Sequence, residues 1–299
     1  MVVFENLPEG CIANILSLTS PLDVGRLALV SSAFRSAADS DAVWDRFLPD
    51  DFNSIISHSS STAAADSSSS FKSKKDLYLS LSHNPLIIGD GKKSFQLVNG
   101  KKCYMLSARA LSIVWGDTPR YWRWISLPEA RFSEVAELVS VCWLEIRGWI
   151  NTKMLSPETM YGAYLVFKPS GGAYGFEFQS VEVSVGFAGG NAQRRDVYFD
   201  AERERRLRYQ IVAGRAPAGI FNRFTRVAME PPPPPPPQVI VDEREYPKER
   251  ADGWLEMELG EFFCEGGEDR EVEMAVCEVK GGDWKGGLVV QGIEIRPKP

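Results

Sequence analysis

The stretch VCWLEIRGWI, Val141–Ile150, alternates between two kinds of side chain. Successive residues of a strand point to opposite faces of a sheet, so this period of two predicts a strand with one buried face. One face is apolar, whereas the other carries two tryptophans and two charged residues: Cys142, Leu144, Ile146 and Ile150 against Trp143, Glu145, Arg147 and Trp149. The stretch therefore favours a β-fold in this part of the chain.

Short runs of the same kind recur from about Gly89 to the end of the chain. SFQLV and KKCYML flank an Asn-Gly pair that is typical of a hairpin, and GAYLVFK, SVEVSVGF, REVEMAVCEV and GGLVVQGIEI follow. Many short strands with few long helices predict a mainly antiparallel β-sandwich over residues 89–299. A charged stretch and an unbroken proline run interrupt it, and we expect a flexible insertion at about residues 189–238.

The N-terminal part follows a helical pattern instead. Apolar residues recur at helical spacing in CIANIL, and Pro21 and Pro49 interrupt the pattern. We expect three or so short helices over residues 1–50, too small a module to bury a core alone. Residues 51–88 contain a Ser/Ala-rich stretch of low complexity, which predicts a flexible linker with a short helix. The predicted fold class is α+β multidomain, a small all-α module followed by a mainly antiparallel β-sandwich.

The charge and the cysteine content limit the environment and the partners. The 299-residue chain has a net charge of −6 and a pI near 5.2, which disfavours broad attraction to nucleic acid or an anionic membrane. It begins without a basic segment before an apolar run and has no run of membrane-spanning length, so we expect neither a secretory signal nor a membrane span. Five cysteines without a CxxC pair predict no disulfide framework, and they favour the cytoplasm or the nucleus.

The sequence offers little from which a catalytic site could be built. Its two histidines, His58 and His83, lie in or beside the expected linker, far from most of the sandwich residues. A Ser-His-Asp or Cys-His arrangement on the sandwich is therefore difficult to assemble. There is no phosphate-binding loop, no GxGxxG after a strand and no zinc-ligand spacing. We expect a non-catalytic protein without a cofactor or a metal.

The stretch LPEGCIANILSLTSPLDVGRLALVSSAFRSAADSDAVWDRFLP resembles an F-box. The resemblance implies docking to a Skp-family adaptor and, through it, to a cullin within a ubiquitin ligase. Independently, a helical module with more apolar residues than it can bury should expose an apolar patch, which usually marks an interface. The alternative is a helical cap packed on the β domain, which the serine-rich linker disfavours. The expected adaptor-binding residues are Leu7, Pro8, Ile12, Ile15, Leu16 and Leu27, with Trp44 at the edge.

The second half of the chain resembles the phloem protein 2 family of plants, over about Lys92–Lys298. The resemblance lies in KKCYMLSARALSIVWGDTPRYWRWI, RFSEVAELVSVCWLEIRGWI, DGWLEMELGEFF and GGLVVQGIEIRPK. It implies a β-sandwich lectin that binds N-acetylglucosamine-containing glycans. It also implies sugar contacts by two tryptophans seven residues apart, which Trp115 and Trp122 match, and by glutamates, for which the candidates are Glu256, Glu258 and Glu261.

The segment IVWGDTPRYWRW, Ile113–Trp124, leaves open which of its rings meets a ligand. Sugar rings stack on aromatic side chains and need fixed polar partners, one of which Asp117 can supply. GDTP predicts a turn, which makes Trp115 the ring expected to be exposed. Strand alternation places Trp122 and Trp124 on one face, and tryptophans in sandwiches are mostly buried. We expect Trp124 in the core, whereas Trp122 stays open between sugar pocket and core.

These features lead to a functional hypothesis with two alternatives. The chain is predicted to be the substrate-recognition subunit of a cullin-based ubiquitin ligase, with the helical module docked to the adaptor and the sandwich bound to a target through protein or glycan contacts. The first alternative is a free nucleocytoplasmic lectin. The second is a protein-binding adaptor that has lost sugar binding.

Overall fold

The computed structural model describes residues 7–57, 71–177, 179–200, 246–267 and 269–298. Short helices come first and strands follow, so the predicted α+β class is confirmed. None of the helices within these ranges is long and apolar enough to cross a membrane. The helices are α1 (Glu9–Leu16), α2 (Pro21–Leu27), α3 (Ser32–Ala38), α4 (Asp41–Asp45), α5 (Phe52–Ser57) and α6 (Lys74–His83).

Serine side chains fix the starts of α2, α3 and α6. The hydroxyls of Ser20, Ser31 and Ser73 each accept a backbone N–H from three residues further on. The first N–H groups of a helix have no partner within the helix, so such caps stabilise its start by about 1 kcal/mol each. Pro21 occupies the first position of α2, where its missing N–H costs nothing.

The helices share one apolar core, which includes α6 although it follows the serine-rich stretch. The ring of Trp44 in α4 lies 5.1 Å from that of Tyr78 in α6, centroid to centroid. The indole N–H of Trp44 donates to the carbonyl of Ala38 at 2.6 Å, so this buried polar group is satisfied. Residues on both sides of the expected linker therefore form a single helical module.

Two antiparallel sheets form the second part of the chain. The larger sheet has nine strands. Seven follow the order β1-β2-β3-β14-β8-β12-β11, while β6 pairs with β14 and β5 pairs with β6. Its strands are β1 (Leu86–Ile88), β2 (Lys93–Val98), β3 (Lys101–Ser107), β5 (Trp122–Ile125), β6 (Val135–Leu138), β8 (Thr159–Tyr174), β11 (Lys248–Glu249), β12 (Leu255–Cys264) and β14 (Gly286–Pro297).

The smaller sheet has five strands in the order β10-β9-β13-β7-β4. These are β4 (Ser112–Ile113), β7 (Leu144–Asn151), β9 (Val181–Phe187), β10 (Gln193–Val197) and β13 (Glu271–Glu278). In β7 the even-numbered residues from Leu144 to Ile150 are buried and the odd-numbered ones between them are half-buried, which confirms the predicted alternation. The buried faces of both sheets belong to one apolar core, as expected for a sandwich.

Secondary structure extends into both stretches that were expected to be flexible. The range 51–88 contains α5, α6 and β1, and only 58–70 within it lies outside the described residues. The stretch expected as an insertion, at about 189–238, includes β10, which pairs with β9 along its whole length. The rest of that stretch from residue 201 on, with its proline run, lies outside the described residues.

The helical module packs on the hairpin formed by β2 and β3. The ammonium of Lys102 lies 2.7 Å from a carboxylate oxygen of Asp51. The N–H of Gly100 donates to the hydroxyl of Tyr78 at 2.8 Å, and Gln96 donates to the carbonyl of Ser82 at 2.7 Å. The serine-rich stretch disfavours a helical module that packs on the β domain, yet the structure shows this packing.

Strand β14 connects the two ends of the sandwich. Its C-terminal half pairs with β3, whose hairpin carries the helical module, and its N-terminal residue Gly286 pairs with Tyr174. Twelve residues in extended conformation span about 36 Å. We call the end at Gly286 the distal end, and its turn segments are 114–121, 139–143, 174–177 and 279–285.

Candidate functional site

The helical module exposes large apolar side chains between residues 15 and 30. They lie at the end of α1, at the start of α2 and in the turn before α3: Ile15, Leu18, Leu22, Leu29 and Val30. Leu29 and Val30 are the most exposed pair of neighbours, at 78% and 69%. We call these five side chains the helical apolar surface. So much exposed apolar area on a small module usually marks a protein interface.

The expected adaptor-binding residues divide into two groups in the structure. Pro8 and Ile15 are exposed, and Leu7 and Leu27 are partly buried against the core, so these four remain candidates. The other three are buried in the helical module and have almost no exposed surface to offer an adaptor: Ile12, Leu16 and Trp44.

Helix geometry explains this division. Residues four apart lie on the same face of a helix, so Ile12 and Leu16 point together into the core while Ile15 points away from it. Sequence reasoning identified the apolar residues but could not decide which side of α1 faced inward. It missed Leu18, Leu22, Leu29 and Val30, which are exposed. Their positions near helix ends, outside the row of apolar residues that faces the core, could have revealed them.

Trp115 lies in the distal turn after β4, as the sequence predicts. Its side chain is exposed and its backbone φ is 58°, a left-handed conformation that costs a non-glycine residue about 1–2 kcal/mol. Its ring lies 5.1 Å from that of Tyr121, and the neighbouring Asp117 is almost fully exposed. Strain of this kind is often found at binding sites. The segment thus presents two rings in tilted contact, with a carboxylate two residues from Trp115 along the chain.

The other tryptophans of this segment differ from expectation. Trp122 is only 2% exposed and packs in the main core, which leaves almost no surface for the direct sugar contact implied for it. Trp124, expected in the core, is only half-buried. The guanidinium of Arg109 lies 3.6 Å from the centre of the Trp124 ring. The indole N–H of Trp124 donates to the carbonyl of Gly116 at 3.0 Å. The reason is that β5 pairs only with β6, so the sheet covers this short strand incompletely.

The three candidate glutamates lie on β12, away from Trp115. Four inter-strand steps, through β6, β14 and β8, separate β5 from β12, which corresponds to about 19 Å. The structure therefore does not bring Glu256, Glu258 or Glu261 together with the exposed tryptophan.

Ion pairs occupy these glutamates. Glu256 receives hydrogen bonds of 2.5 and 2.6 Å from Arg296 and one of 2.8 Å from Arg250. Burial alone would raise the pKa of its carboxyl, but the bonds and charges of Arg296 and Arg250 outweigh burial and lower that pKa. Glu258 and Glu261 both pair with Lys298. A structural role in stabilising the larger sheet fits these contacts better than a sugar contact does.

Within the described ranges, no three His, Cys, Asp or Glu side chains are grouped so that they could hold a metal ion. The candidate binding features within these ranges are the helical apolar surface and the exposed rings at the distal end.

The helices and the sandwich match two known protein families. The profile described as "F-box-like" matches residues 4–49, and the profile described as "Phloem protein 2" matches residues 101–297. The chain therefore belongs to the phloem protein 2 family, and it is an F-box protein in which the F-box precedes the sandwich. An F-box implies a protein partner in general.

Relatives from Arabidopsis thaliana share this arrangement over nearly the whole chain. F-box protein At2g02240 is 46% identical over 98% of this chain and 80% of its own length. F-box protein PP2-B1 is 42% identical over 99% of this chain and 90% of its own. F-box protein PP2-B10 is 43% identical over 98% of this chain and 94% of its own.

Among solved structures, the chain is similar to a Podospora anserina GH26-CBM35 β-(1,4)-mannanase. The TM-score is 0.31 and the identity 8%, over 66% of this chain and 28% of that one. A likeness this low carries no argument about function.

Proposed function

We propose that the chain is the substrate-recruiting subunit of a cullin-based ubiquitin ligase. The observation that carries this proposal is the helical apolar surface, because it lies within the segment that matches the F-box profile. It would dock to a Skp-family adaptor, which in turn binds the cullin. The chain itself supplies no nucleophile in this proposal and acts as a non-catalytic adaptor.

Recruitment would act through proximity. A target bound to the sandwich is held at a fixed distance from the ligase, which raises the effective concentration of its lysines near the ubiquitin donor. The distal end and the helical module lie at opposite ends of β14, so a bound target would not compete with the adaptor for space.

The contact between the exposed ring of Trp115 and the half-buried ring of Tyr121 favours a glycan as the feature of the target that is recognised. The two rings in contact offer a stiff apolar platform for the C–H face of a sugar, and Asp117 offers an acceptor for its hydroxyls. We propose that this platform binds N-acetylglucosamine-containing glycans. Trp122, being buried, would support the platform from below and would not touch the sugar.

A reducing compartment, cytoplasm or nucleus, fits the proposal. All five cysteines are free thiols, and Cys103 and Cys264 are buried. Burial raises the pKa of both thiols, which keeps them protonated and unreactive at neutral pH.

Co-purification with a Skp-family adaptor tests the ligase part of the proposal. We expect the full chain to retain the adaptor and the double variant Leu29→Ser, Val30→Ser to lose it, because the change removes exposed apolar contacts without opening the core. Leu79→Ser is the matched control, since Leu79 is an exposed leucine on α6, outside the helical apolar surface. Absence of adaptor on the wild-type chain, or equal retention by the double variant, would contradict the proposal.

A further inference from the structure

The exposed ring of Trp115 stands on a turn, 114–121, whose two ends are held by backbone hydrogen bonds. At the first end, the N–H of Val114 donates to the carbonyl of Glu145 at 3.0 Å. At the other end, the carbonyl of Tyr121 accepts the N–H of Val139 at 2.9 Å. Between them, Trp115 has the left-handed φ of 58°. Such a conformation persists only where surrounding groups hold the chain, so the middle of the turn needs an anchor of its own.

The indole of Trp124 supplies this anchor. Its N–H donates to the carbonyl of Gly116, the residue directly after Trp115, at 3.0 Å. Because Trp124 lies on β5, this bond joins the middle of the turn to the larger sheet. Bonds within the turn, such as that from the N–H of Thr118 to the carbonyl of Trp115 at 2.9 Å, close the loop but do not fix its direction relative to the sheet.

The side chain of Arg109 keeps the Trp124 ring in position. Trp124 is only half-buried on a strand that has a single neighbour, so packing alone leaves its ring free to turn its N–H away from the carbonyl of Gly116. The guanidinium of Arg109 lies 3.6 Å from the ring centre, within the range of a direct cation–π contact. This contact holds the ring in the orientation that the hydrogen bond to Gly116 requires.

Glu134 in turn fixes Arg109. Its carboxylate accepts two hydrogen bonds from the guanidinium, at 2.9 Å from Nε and at 3.2 Å from Nη2. A two-point pair of this kind fixes orientation as well as distance. Arg109 and Glu134 stand next to fully buried residues, Ala108 and Val135, so both ends of the pair are attached to the core.

Stability alone does not explain this series of contacts. The side chains of Arg109 and Glu134 are 37% and 42% exposed, and ion pairs as exposed as this contribute little to the free energy of unfolding. The contacts nevertheless lead step by step from the core to the turn. The guanidinium also lies 3.9 Å from the carboxylate of Asp117, within the same turn. An arrangement that orders an exposed turn in advance lowers the entropic cost of binding there.

We infer that Arg109, Glu134 and Trp124 are positioning residues for the proposed glycan platform. We call these three side chains the positioning cluster. They act through the backbone of the turn, which they hold so that the ring of Trp115 stays in contact with that of Tyr121, 5.1 Å away. The inference rests on the proposed glycan binding for its functional part, whereas the order of the turn can be measured without any ligand.

Amide hydrogen exchange of the full chain, followed by mass spectrometry, tests the order of the turn. Trp124→Phe keeps an aromatic ring beside Arg109 but removes the N–H. We expect residues 114–121 to exchange about fivefold faster in this variant, the value of one lost hydrogen bond of about 1 kcal/mol, while exchange in β8 stays unchanged. Trp149→Phe is the matched control, since Trp149 is a half-buried tryptophan of β7 outside the turn. It should leave the exchange of residues 114–121 as in the wild type.

Isothermal titration and urea denaturation test the functional part on the same chains. The probe is the β-1,4-linked trisaccharide of N-acetylglucosamine. We expect Trp124→Phe and Arg109→Gln each to bind it about fivefold more weakly, again the value of one lost contact, while the urea midpoint stays close to that of the wild type. A purely structural role would instead lower the midpoint and leave the affinity of the folded chain unchanged.

The outcomes separate the positioning role from the proposed function. Wild-type exchange of residues 114–121 in Trp124→Phe would overturn the positioning role alone, if the wild-type chain binds the trisaccharide. Faster exchange combined with wild-type affinity in both variants would also overturn it, because the ordered turn would then not serve binding. If the wild-type chain does not bind the trisaccharide, the proposed glycan binding fails and the positioning role fails with it.

Discussion

The ammonium of Lys102 lies 2.7 Å from a carboxylate oxygen of Asp51, and this ion pair joins the β2–β3 hairpin to the helical module. The side chain of Lys102 is largely buried, whereas that of Asp51 is half-exposed. Together with the bond between Gly100 and Tyr78, the pair fixes the helices to the end of the sandwich opposite the distal end. The helical module and the distal end, the two candidate binding regions, are thereby separated by roughly the length of β14, about 36 Å.

Removal of this ion pair should loosen the helical module. We expect Asp51→Asn to destabilise the chain by about 1 kcal/mol, because it leaves a largely buried ammonium unpaired while solvent reaches the pair from one side. Urea denaturation followed by circular dichroism measures the change. Asp45→Asn is the control, since Asp45 forms an exposed pair with Lys74, and it should leave the midpoint unchanged. Equal midpoints for both variants would show that the Lys102 pair does not stabilise the interface.

The two kinds of apolar residue in the F-box should respond differently to substitution. Ile12→Ala opens a cavity in the core and should cost about 2–5 kcal/mol, whereas Leu29→Ser, at an exposed site, should stay within about 0.5 kcal/mol. Thermal denaturation distinguishes them. Adaptor retention should fall in both, in the first through unfolding and in the second without it. A strong loss of stability in Leu29→Ser would mean that this side chain is not free for docking.

The left-handed backbone at Trp115 predicts an unusual order of stabilities. Glycine adopts a φ of 58° without strain, so Trp115→Gly should be more stable than Trp115→Ala by about 1 kcal/mol. At most sites alanine is the better tolerated of the two. Thermal melting of the two variants checks the order, and a more stable alanine variant would argue against the strained turn.

The burial of Trp122 predicts that its ring stabilises the fold, whereas its indole N–H contributes little to stability. In the described part of the chain this N–H has no hydrogen-bond partner, so Trp122→Phe should keep most of the stability. Trp122→Ala should cost about 3–5 kcal/mol, because it removes a large ring from the main core. Urea denaturation compares the two. A Trp122→Ala chain that stays fully stable and only loses sugar binding would return this residue to the ligand site.

The carboxyl of Glu256 should make the stability of the fold depend on pH in the acidic range. Burial opposes its ionisation, but Arg296 and Arg250 hold its pKa below its ordinary value of 4.5 in the folded chain. The unfolded chain therefore binds more protons, and the stabilisation is complete above about pH 4.5 and is lost as the pH falls through the folded pKa. Thermal midpoints should fall less steeply in Glu256→Gln than in the wild type over this range.

The thermal midpoint of Glu256→Gln will still fall with pH, because other carboxyls also have a lowered pKa in the folded chain, such as that of Glu145 beside Arg147. An identical slope in Glu256→Gln and the wild type would contradict the contribution of Glu256.

The sequence alone was enough to predict the class of fold. Alternation in the stretch that became β7, and helical spacing in the stretch that became α1, are local patterns, and local geometry decides them because each residue's face follows from its position in the chain. The family resemblance also came from continuous motifs, and both matching profiles bear it out. The turn at GDTP placed Trp115 in the open for the same local reason.

Burial and proximity were decided only by the tertiary structure. Trp122 and Trp124 share a strand face, yet Trp122 is buried and Trp124 is half-buried beneath Arg109. The difference arises because the residues around them come from distant segments of the chain. The same holds for the candidate glutamates, whose strand β12 lies four inter-strand steps from β5, the strand that follows Trp115. The ammonium of Lys285 donates to the backbone carbonyl directly before Trp143, and so joins turns about 140 residues apart. No local pattern encodes such contacts, since the order of strands in a sheet is set by packing over the whole chain.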